Sequence, residues 1–526
     1  MSTPRAVTAQ PVTSAGVGPP DRSLRAGRRR PWWVWAAPFV LVFTVLAVRS
    51  RFLFTARFYE QGDAAANSIL IEQAKHFTLL VGNYSRERFN HPGPAYMYVQ
   101  ALGEWLFRDL LPLVPTAWNA HVLAVFALNS AFVAMMVGVV YGWTRSLRGA
   151  AACLAVVLGC VATEPWILSY DWMPWMYVPA YIAFVIAAAS VAAGGARDIW
   201  IVTLTGWFLI HGHVCFLFFV PVIGATVLAA VLWRYGPPAV LRRFARPRTW
   251  VPVAVISAVF ALPIVVNLTL HWPGDFGKYL SYSSSTVAGG HSLSQDLHYV
   301  LWYWWRDGGW AAWLVPVLLY LVAFAAVRLC RDPVRAFLTA LLVVNLVSTL
   351  AFLGYTAVGI DVLSEPYIGY FYFSAPIITL LVIAVAVVHA PPVRPGAVLA
   401  AGLAVLAVAA FAAAPATAVN TGDTDAALPA AVSAVAATAH GKTIVIYLDH
   451  QAWLDVTGFL VQAERTGVRA CVQDPWWTFM MTRQFICTPA QVEVGVPFWF
   501  HSSAAPHGAT VIATLKNSDI IAGPVR

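Results

Sequence analysis

The residues best suited to chemistry stand just after the first long apolar run. Glu60-Gln61-Gly62-Asp63 opens an amphipathic stretch from Ala64 to Val81, which predicts a helix lying along a membrane interface. A carboxylate at a helix start has a fixed orientation. Asp63 could therefore cap the helix or accept a proton from a hydroxyl group. The two roles are compatible, and the sequence leaves both open.

A second cluster lies in the same segment, before a Pro92-Gly93-Pro94 turn and a further predicted helix over 95–107. Its cationic and imidazole side chains are Arg86, Arg88 and His91. Arginine presents a planar fork of donors that matches the oxygens of a phosphate group. The cluster therefore predicts a phosphate-binding turn. Solvated arginines beside a turn are the structural alternative.

Later segments supply the remaining candidates. Glu164 and Asp171 stand among tryptophans and prolines, where acids and indoles could face a sugar ring, although an aromatic belt at the membrane edge explains them too. His211 and His213 lie at the end of an apolar run, where ionisable groups are costly and often functional. Lys278 could contact a phosphate, and a solvated loop is its simpler interpretation.

These candidates belong to a chain of 526 residues that is 60% hydrophobic and only 11% charged. Soluble domains carry about 25% charged residues, so the composition argues against a soluble enzyme and against a disordered protein. Eleven apolar runs are long enough to predict membrane spans. They are 32–48, 118–143, 149–167, 173–194, 199–214, 215–233, 250–270, 310–327, 336–356, 369–390 and 395–415.

The net charge of +9 is explained by membrane topology. Arginines before the first span predict a cytoplasmic N-terminus, because cytoplasmic segments collect basic residues. Alternating sides from there gives about +15 inside and about −6 over the rest of the chain. The basic excess therefore needs no nucleic-acid partner. The sequence predicts a multi-pass plasma-membrane protein.

Three regions follow from this topology. Residues 1–31 read as a disordered basic tail, 32–415 as the membrane domain, and 416–526 as a small extracytoplasmic domain. The membrane domain has two long outer loops, 49–117 and 271–309. The last region shows a strand, an amphipathic helix and a second strand. The predicted fold class is an all-α polytopic membrane protein with interfacial helices and a small C-terminal α/β domain.

The two cysteines of the predicted outer domain, Cys471 and Cys487, predict a disulfide, because that compartment is oxidising. Two buried thiols are the alternative. The sequence contains no Cys/His spacing typical of a metal site. It also lacks the GxxxxGK[ST], GxSxG and HExxH motifs, which argues against a nucleotide-driven pump.

The pattern resembles the GT-C superfamily of polyprenyl-phosphate-sugar-dependent glycosyltransferases. It is similar to bacterial members related to protein mannosyltransferases, lipid A aminoarabinose transferases and mycobacterial arabinosyltransferases. The resemblance covers most of residues 30–415, and 416–526 matches only in position. The runs Asn90-His91-Pro92-Gly93-Pro94 and Trp272-Pro273-Gly274-Asp275 resemble actinobacterial proteins of this kind.

The resemblance implies that a sugar is transferred, with inversion, from a polyprenyl-phosphate donor to a cell-envelope glycan, lipid or protein. It also implies contact with membrane lipid. It implies Asp63 as the catalytic base, assisted by Asp171 or Glu164. The donor's phosphate would contact Arg86, Arg88, His91 and Lys278. Many members pair two acids in the first loop. Here Gln61-Gly62 separates them, so use of a divalent cation stays open.

Two other classes compete with a transferase. A transporter or lipid flippase would carry charges or broken helices near the bilayer midplane, whereas the acids of this chain cluster in outer loops. A non-catalytic envelope receptor or assembly protein would work through 416–526. Deleting that region should leave a transferase with basal activity and a receptor with none.

Overall fold

A computed structural model describes residues 30–286, 290–390, 419–503, 505 and 509–523. The first half of the chain forms eleven helices, numbered here in chain order. They are α1 Trp33–Arg49, α2 Gly62–Lys75, α3 Ala95–Glu104, α4 Ala117–Thr144, α5 Leu147–Thr163, α6 Trp166–Ser169, α7 Met173–Ala192, α8 Ile199–Gly212, α9 Phe216–Tyr235, α10 Pro237–Phe244 and α11 Pro247–His271.

The remaining elements complete the helical bundle and form a small α/β domain. The helices are α12 Gly274–Thr286, α13 Leu293–Trp302, α14 Leu314–Leu329, α15 Val334–Gly359, α16 Ser374–His389, α17 Leu428–Ala439, α18 Trp453–Arg465, α19 Thr478–Met481 and α20 Pro489–Val494. A 3₁₀ helix, Pro366–Phe373, leads into α16. The strands are β1 Ile444–Leu448, β2 Ala470–Val472, β3 Val496–His501, β4 Val511–Thr514 and β5 Asp519–Ala522.

Each predicted span within the described residues coincides with a helix. Among these described residues, seven helical segments are long and apolar enough to cross a membrane, whereas α1, α5 and α8 are shorter. The eleventh predicted span, 395–415, lies outside the described residues, as does nearly all of the predicted tail. The chain is thus a polytopic membrane protein, and the structure does not establish the predicted count of eleven.

The bundle is built around α4 and α7. Helix α7 is buried on almost every side, whereas α11 has no buried side chain, as expected of a helix that faces lipid along its length. Arg30 and Asp198 form a bidentate ion pair of 2.7 and 2.8 Å between the chain before α1 and the loop before α8. The two segments therefore lie on the same side of the bundle, as the charge pattern predicts.

The C-terminal domain is a five-stranded sheet in the order β2-β1-β3-β5-β4. Strand β1 pairs in parallel with β2 and β3, and β5 pairs antiparallel with β3 and β4. Helix α18 connects β1 to β2, which is the βαβ unit expected from the sequence. A disulfide joins Cys471 to Cys487, tying β2 to the segment before α20.

Helix α2 is shorter than the predicted helix over 64–81, and its apolar side chains pack against protein. It ends at Lys75, and two protein cores enclose it. Ala65, Ala66 and Ile69 belong to the core of the C-terminal domain. Apolar residues of the next turn of the same helix pack into the core of the membrane domain. Amphipathic spacing marks apolar faces but cannot distinguish lipid from protein. The second predicted helix, 95–107, also differs, because α3 ends at Glu104 and continues as a π-helix.

Candidate active site

Asp63 is held by side chains from two other segments. The hydroxyl of Tyr84 and the indole Nε1 of Trp172 both donate hydrogen bonds to its carboxylate, the second at 2.8 Å. The predicted N-cap role is wrong, because Gln61 occupies the cap position of α2 and the carboxylate is bound elsewhere. Two fixed donors orient the carboxylate.

The surroundings of Asp63 favour its neutral form. Burial raises the pKa of this carboxyl above its usual value. The hydrogen bonds from Tyr84 and Trp172 lower the pKa, and the negative charge of Asp423 raises it again. The net direction is upward. Asp63 is thus a stronger base than a solvated aspartate once it is ionised.

A cavity of about 270 Å³ opens beside Asp63. Its walls come from the first outer loop, the start of α7, the junction of α8 and α9, the end of α15 and the 3₁₀ helix before α16. Lining residues include Asp63, Asn83, Tyr84, Arg86, His91, Trp172, His213, Tyr355, Asp361 and Tyr367. The cavity is therefore lined by both charged or polar side chains and aromatic rings.

Two sequence motifs that are far apart in the chain meet at this cavity. The rings of His91 and His213 are in contact, with centroids 4.3 Å apart and planes inclined by 34°. The Nδ1 of His91 accepts a hydrogen bond from the backbone N–H of Val214 (3.3 Å), and the Nδ1 of His213 accepts one from Cys215 (3.1 Å). An Nδ1 that accepts carries no proton, so in each neutral ring we assign the proton to Nε2.

The expected phosphate ligand His91 can act only as an uncharged hydrogen-bond donor in this environment. Burial lowers its pKa well below the usual value for histidine, and the neighbouring His213 lowers it further. The ring is neutral near pH 7. What His91 and His213 can offer a ligand is a pair of N–H donors without net charge.

His211 has a structural position and does not line the cavity. Its Nε2 lies 2.9 Å from the carbonyl oxygen of Phe260, and its own carbonyl accepts the N–H of Gly93 at 3.2 Å. A Cβ atom at Gly93 would lie 2.3 Å from His211 Nδ1. The glycine of the Pro-Gly-Pro turn is thus required for this close approach, which seats His91 against His213.

We expect Gly93→Ala to displace His211 and to destabilise the protein by about 1–3 kcal/mol, the usual cost of overpacking. Thermal unfolding of the purified protein in detergent or nanodiscs measures the effect. Gly354→Ala is the matched control, because no atom lies within 4 Å of the added Cβ. Inside α15 that control should be neutral or slightly stabilising. Equal stability of the two variants would contradict the assigned role of Gly93.

Arg86 lines the cavity but already has acidic partners. One of its guanidinium nitrogens lies 2.5 Å from Glu365, and another pairs with Asp361. This ion-pair cluster links the first outer loop to the segment before the 3₁₀ helix. The expectation of a guanidinium available for phosphate is therefore wrong for this arrangement.

The other two predicted cationic ligands lie away from the cavity. The guanidinium of Arg88 stands 5.6 Å from the ring centroid of Trp476 in the C-terminal domain. Lys278 forms an ion pair with Asp275 at 2.9 Å and donates to the backbone oxygen of Arg88 at 3.0 Å. The contact of Arg88 with Trp476 joins the first outer loop to the C-terminal domain. The hydrogen bond from Lys278 joins the same loop to helix α12.

The two acids expected to assist Asp63 behave differently. Glu164 forms an ion pair with Arg306 at 2.5 Å and does not line the cavity. Asp171 is buried, and its burial together with the negative charge of Asp423 raises its pKa to about 7. It precedes Trp172, whose indole binds Asp63. Neither acid lines the cavity, and Asp171 is linked to the site through the charge of Asp423.

Asp423 is a residue that the sequence did not single out. Its carboxylate accepts hydrogen bonds from the hydroxyl of Tyr170 at 2.6 Å and from the side-chain amide of Asn420 at 3.0 Å. The Asn-Thr-Gly-Asp run over 420–423 signals a turn, and nothing in it indicates a distant partner.

Within the described part of the chain, no group of three His, Cys, Asp or Glu is arranged to hold a metal ion.

No protein-family model and no curated protein sequence matches the chain. Among solved structures, it is similar to the crystal structure of ArnT from Cupriavidus metallidurans in the apo state. The TM-score is 0.56, and the match covers 93% of this chain and 100% of that one at 12% identity. The chain has an ArnT-like fold. At this identity the likeness concerns the fold, and the chemistry must be argued from the cavity.

Proposed function

We propose that the chain is a membrane glycosyltransferase that moves a sugar from a polyprenyl-phosphate donor to a cell-envelope acceptor. ArnT, whose fold it shares, is a GT-C undecaprenyl-phosphate-aminoarabinose transferase. The observation that carries the proposal is an oriented carboxylate of raised pKa, Asp63, at the wall of a cavity that also presents two neutral imidazoles. This combination supplies a base and donors for a leaving anion.

In the proposed reaction, the carboxylate of Asp63 takes the proton of an acceptor hydroxyl. The hydroxyl oxygen forms a bond to the anomeric carbon of the donor sugar. The bond from that carbon to the phosphate oxygen breaks, and the phosphate leaves with the electron pair. A single displacement inverts the anomeric centre. Tyr84 and Trp172 hold Asp63 in one orientation, so less ordering is required when the substrates bind.

The departing phosphate would be stabilised by His91 and His213. Each has its Nδ1 occupied by a backbone N–H, so each Nε2–H can donate toward a ligand. Donors fixed before the reaction stabilise developing negative charge without reorganisation. Arg86 could add charge only if the anion displaced Asp361 and Glu365 from it.

The location of the site suits a donor carried by lipid. On the topology predicted from the basic residues, the first outer loop and the C-terminal domain face the outside of the plasma membrane. Nucleotide sugars are absent there, whereas a polyprenyl phosphate presents its sugar at the membrane surface. A transferase with this orientation would therefore take its donor from the bilayer.

The proposal is tested with the full chain in nanodiscs that contain undecaprenyl phosphate. We expect a cryo-EM map with phosphate density next to His91 and His213, with the tail leaving the cavity toward the bilayer. Transfer is then assayed with a panel of radiolabelled polyprenyl-phosphate sugars and solubilised envelope glycans. Lipid density along a path that crosses the bilayer, together with an absence of transfer, would instead support a flippase.

A further inference from the structure

The segment that enters the C-terminal domain places a carboxylate near Asp63. Residues 420–425 form a compact turn in which the side chain of Asn420 accepts the N–H of Gly422 at 2.8 Å. Within this turn, Asp423 is oriented by donors from Asn420 and Tyr170. Tyr170 belongs to the membrane domain. The turn is therefore fastened to the bundle as well as to the C-terminal domain.

The same turn pairs with the backbone that leads into Asp63. The N–H of Gln61 donates to the carbonyl oxygen of Asp423 at 2.9 Å, and the N–H of Asp425 donates to that of Tyr59 at 2.8 Å. Together they form a short antiparallel bridge. Because Gln61 stands at the N-cap position of helix α2, this bridge fixes the start of the helix that carries Asp63. A displacement of the turn would move Asp63 with it.

The interface around this bridge is tightly packed. The hydroxyl oxygen of Thr457 in α18 lies 3.3 Å from the carbonyl oxygen of Gly62. A Cβ at Gly458 would lie 2.7 Å from the carbonyl oxygen of Glu60. The buried carboxylate of Glu60 pairs with Arg465 of the same helix at 2.8 Å. The C-terminal domain thus holds the backbone on both sides of the bridge.

Building on the proposed function, we propose that Asp423 is a positioning residue for Asp63. It fixes the loop that carries Asp63 and keeps a negative charge beside that carboxylate. The C-terminal domain would then contribute a residue that positions the catalytic carboxylate of the membrane domain.

The charged and titratable groups around the two acids are few among the described residues. Asp63 faces Tyr84 from its own loop, Tyr367 from the 3₁₀ helix before α16, and Asp423 from the C-terminal turn. Asp423 in turn acts on Asp171 of the membrane domain. Among the described residues, the groups that shift the pKa of Asp63 include the anion Asp423 and no cation; Arg86 of the same cavity is paired with Asp361 and Glu365.

The sign of the effect follows from this arrangement. A negative neighbour favours the protonated form of Asp63 and raises its pKa. A base whose pKa lies closer to the working pH accepts a proton more effectively. Asp423 makes and breaks no bond in the reaction. The acceptor's proton goes to Asp63, and the Asp423 carboxylate keeps its hydrogen bonds from Tyr170 and Asn420.

Infrared titration of the full chain tests the inference without relying on activity. Protein labelled with [4-¹³C]aspartate shows the C=O band of protonated aspartates, and the part of that band missing from Asp63→Asn belongs to Asp63. We expect Asp423→Asn to move the midpoint of the Asp63 band to lower pH by about one unit. Asp423→Ser, which keeps a hydroxyl acceptor for Tyr170, should give the same shift if the amide variant does not fold.

Asp425→Asn is the matched control. The Asp425 carboxylate accepts backbone N–H groups of Ala427 and Lys516 at 2.8 Å each and contributes no charge effect at Asp63. Its midpoint should equal that of the wild type. An unchanged midpoint in folded Asp423→Asn, or equal shifts in both variants, would overturn the inference. If Asp423→Asn shifts the midpoint of the Asp63 band but the wild type transfers no sugar, the result would count against the proposed function instead.

Discussion

Asp63→Asn is expected to lower sugar transfer by about 10²–10⁴-fold, the usual contribution of a general base, while the protein stays folded. The amide has the size of the carboxylate and can still accept a hydrogen bond from Tyr84 or Trp172. It cannot take a proton from the acceptor. Single-turnover transfer from a polyprenyl-phosphate sugar measures the loss, and thermal unfolding checks the fold.

Glu164→Gln is the matched control. Glu164 is another acid of the predicted outer side, and it pairs with Arg306 away from the cavity. It should transfer sugar at the wild-type rate. In the wild type, activity should fall as pH drops through the raised pKa of Asp63, since only the ionised carboxylate is a base. Full activity in Asp63→Asn would remove the proposed mechanism.

Deleting residues 419–526 is expected to abolish transfer and to destabilise the membrane domain as well. The deletion exposes Ala65, Ala66 and Ile69, which lie in the C-terminal core, and full exposure of one isoleucine costs about 1.5–3 kcal/mol. It also removes Asp423 and the bridge next to Asp63. Yield of monodisperse protein, followed by transfer, measures both effects.

This result differs from the basal activity expected for a transferase on sequence grounds, so deletion does not distinguish a transferase from a receptor. A point variant in the interface gives a finer test. Gly458→Ala places a Cβ against the Glu60 carbonyl and should cost about 1–3 kcal/mol by overpacking. Ser433→Ala, on an exposed part of α17, should change nothing. Wild-type stability and transfer in both variants would show that the interface around Gly458 is not tightly packed.

Some of the site could be predicted because its signals are local. Asp63 was selected by its place after a glycine at the start of an amphipathic run, and His91 by its place before a Pro-Gly-Pro turn. Both line the cavity in the structure. Glu164 was selected on an equally local signal, and its partner Arg306 takes it out of the cavity. A local signal identifies the type of residue and not its partner.

The sequence by itself determined the apolar helices and the α/β character of the C-terminal region. The bilayer sets the length of a span, and strand and helix periods are properties of neighbouring residues. Tertiary structure alone decided that Arg86 is paired with acids, that His91 is neutral, and that Asp423 stands beside Asp63. These facts depend on burial and on contacts between residues hundreds of positions apart, such as Tyr170 and Asp423, and no local pattern in the chain encodes them.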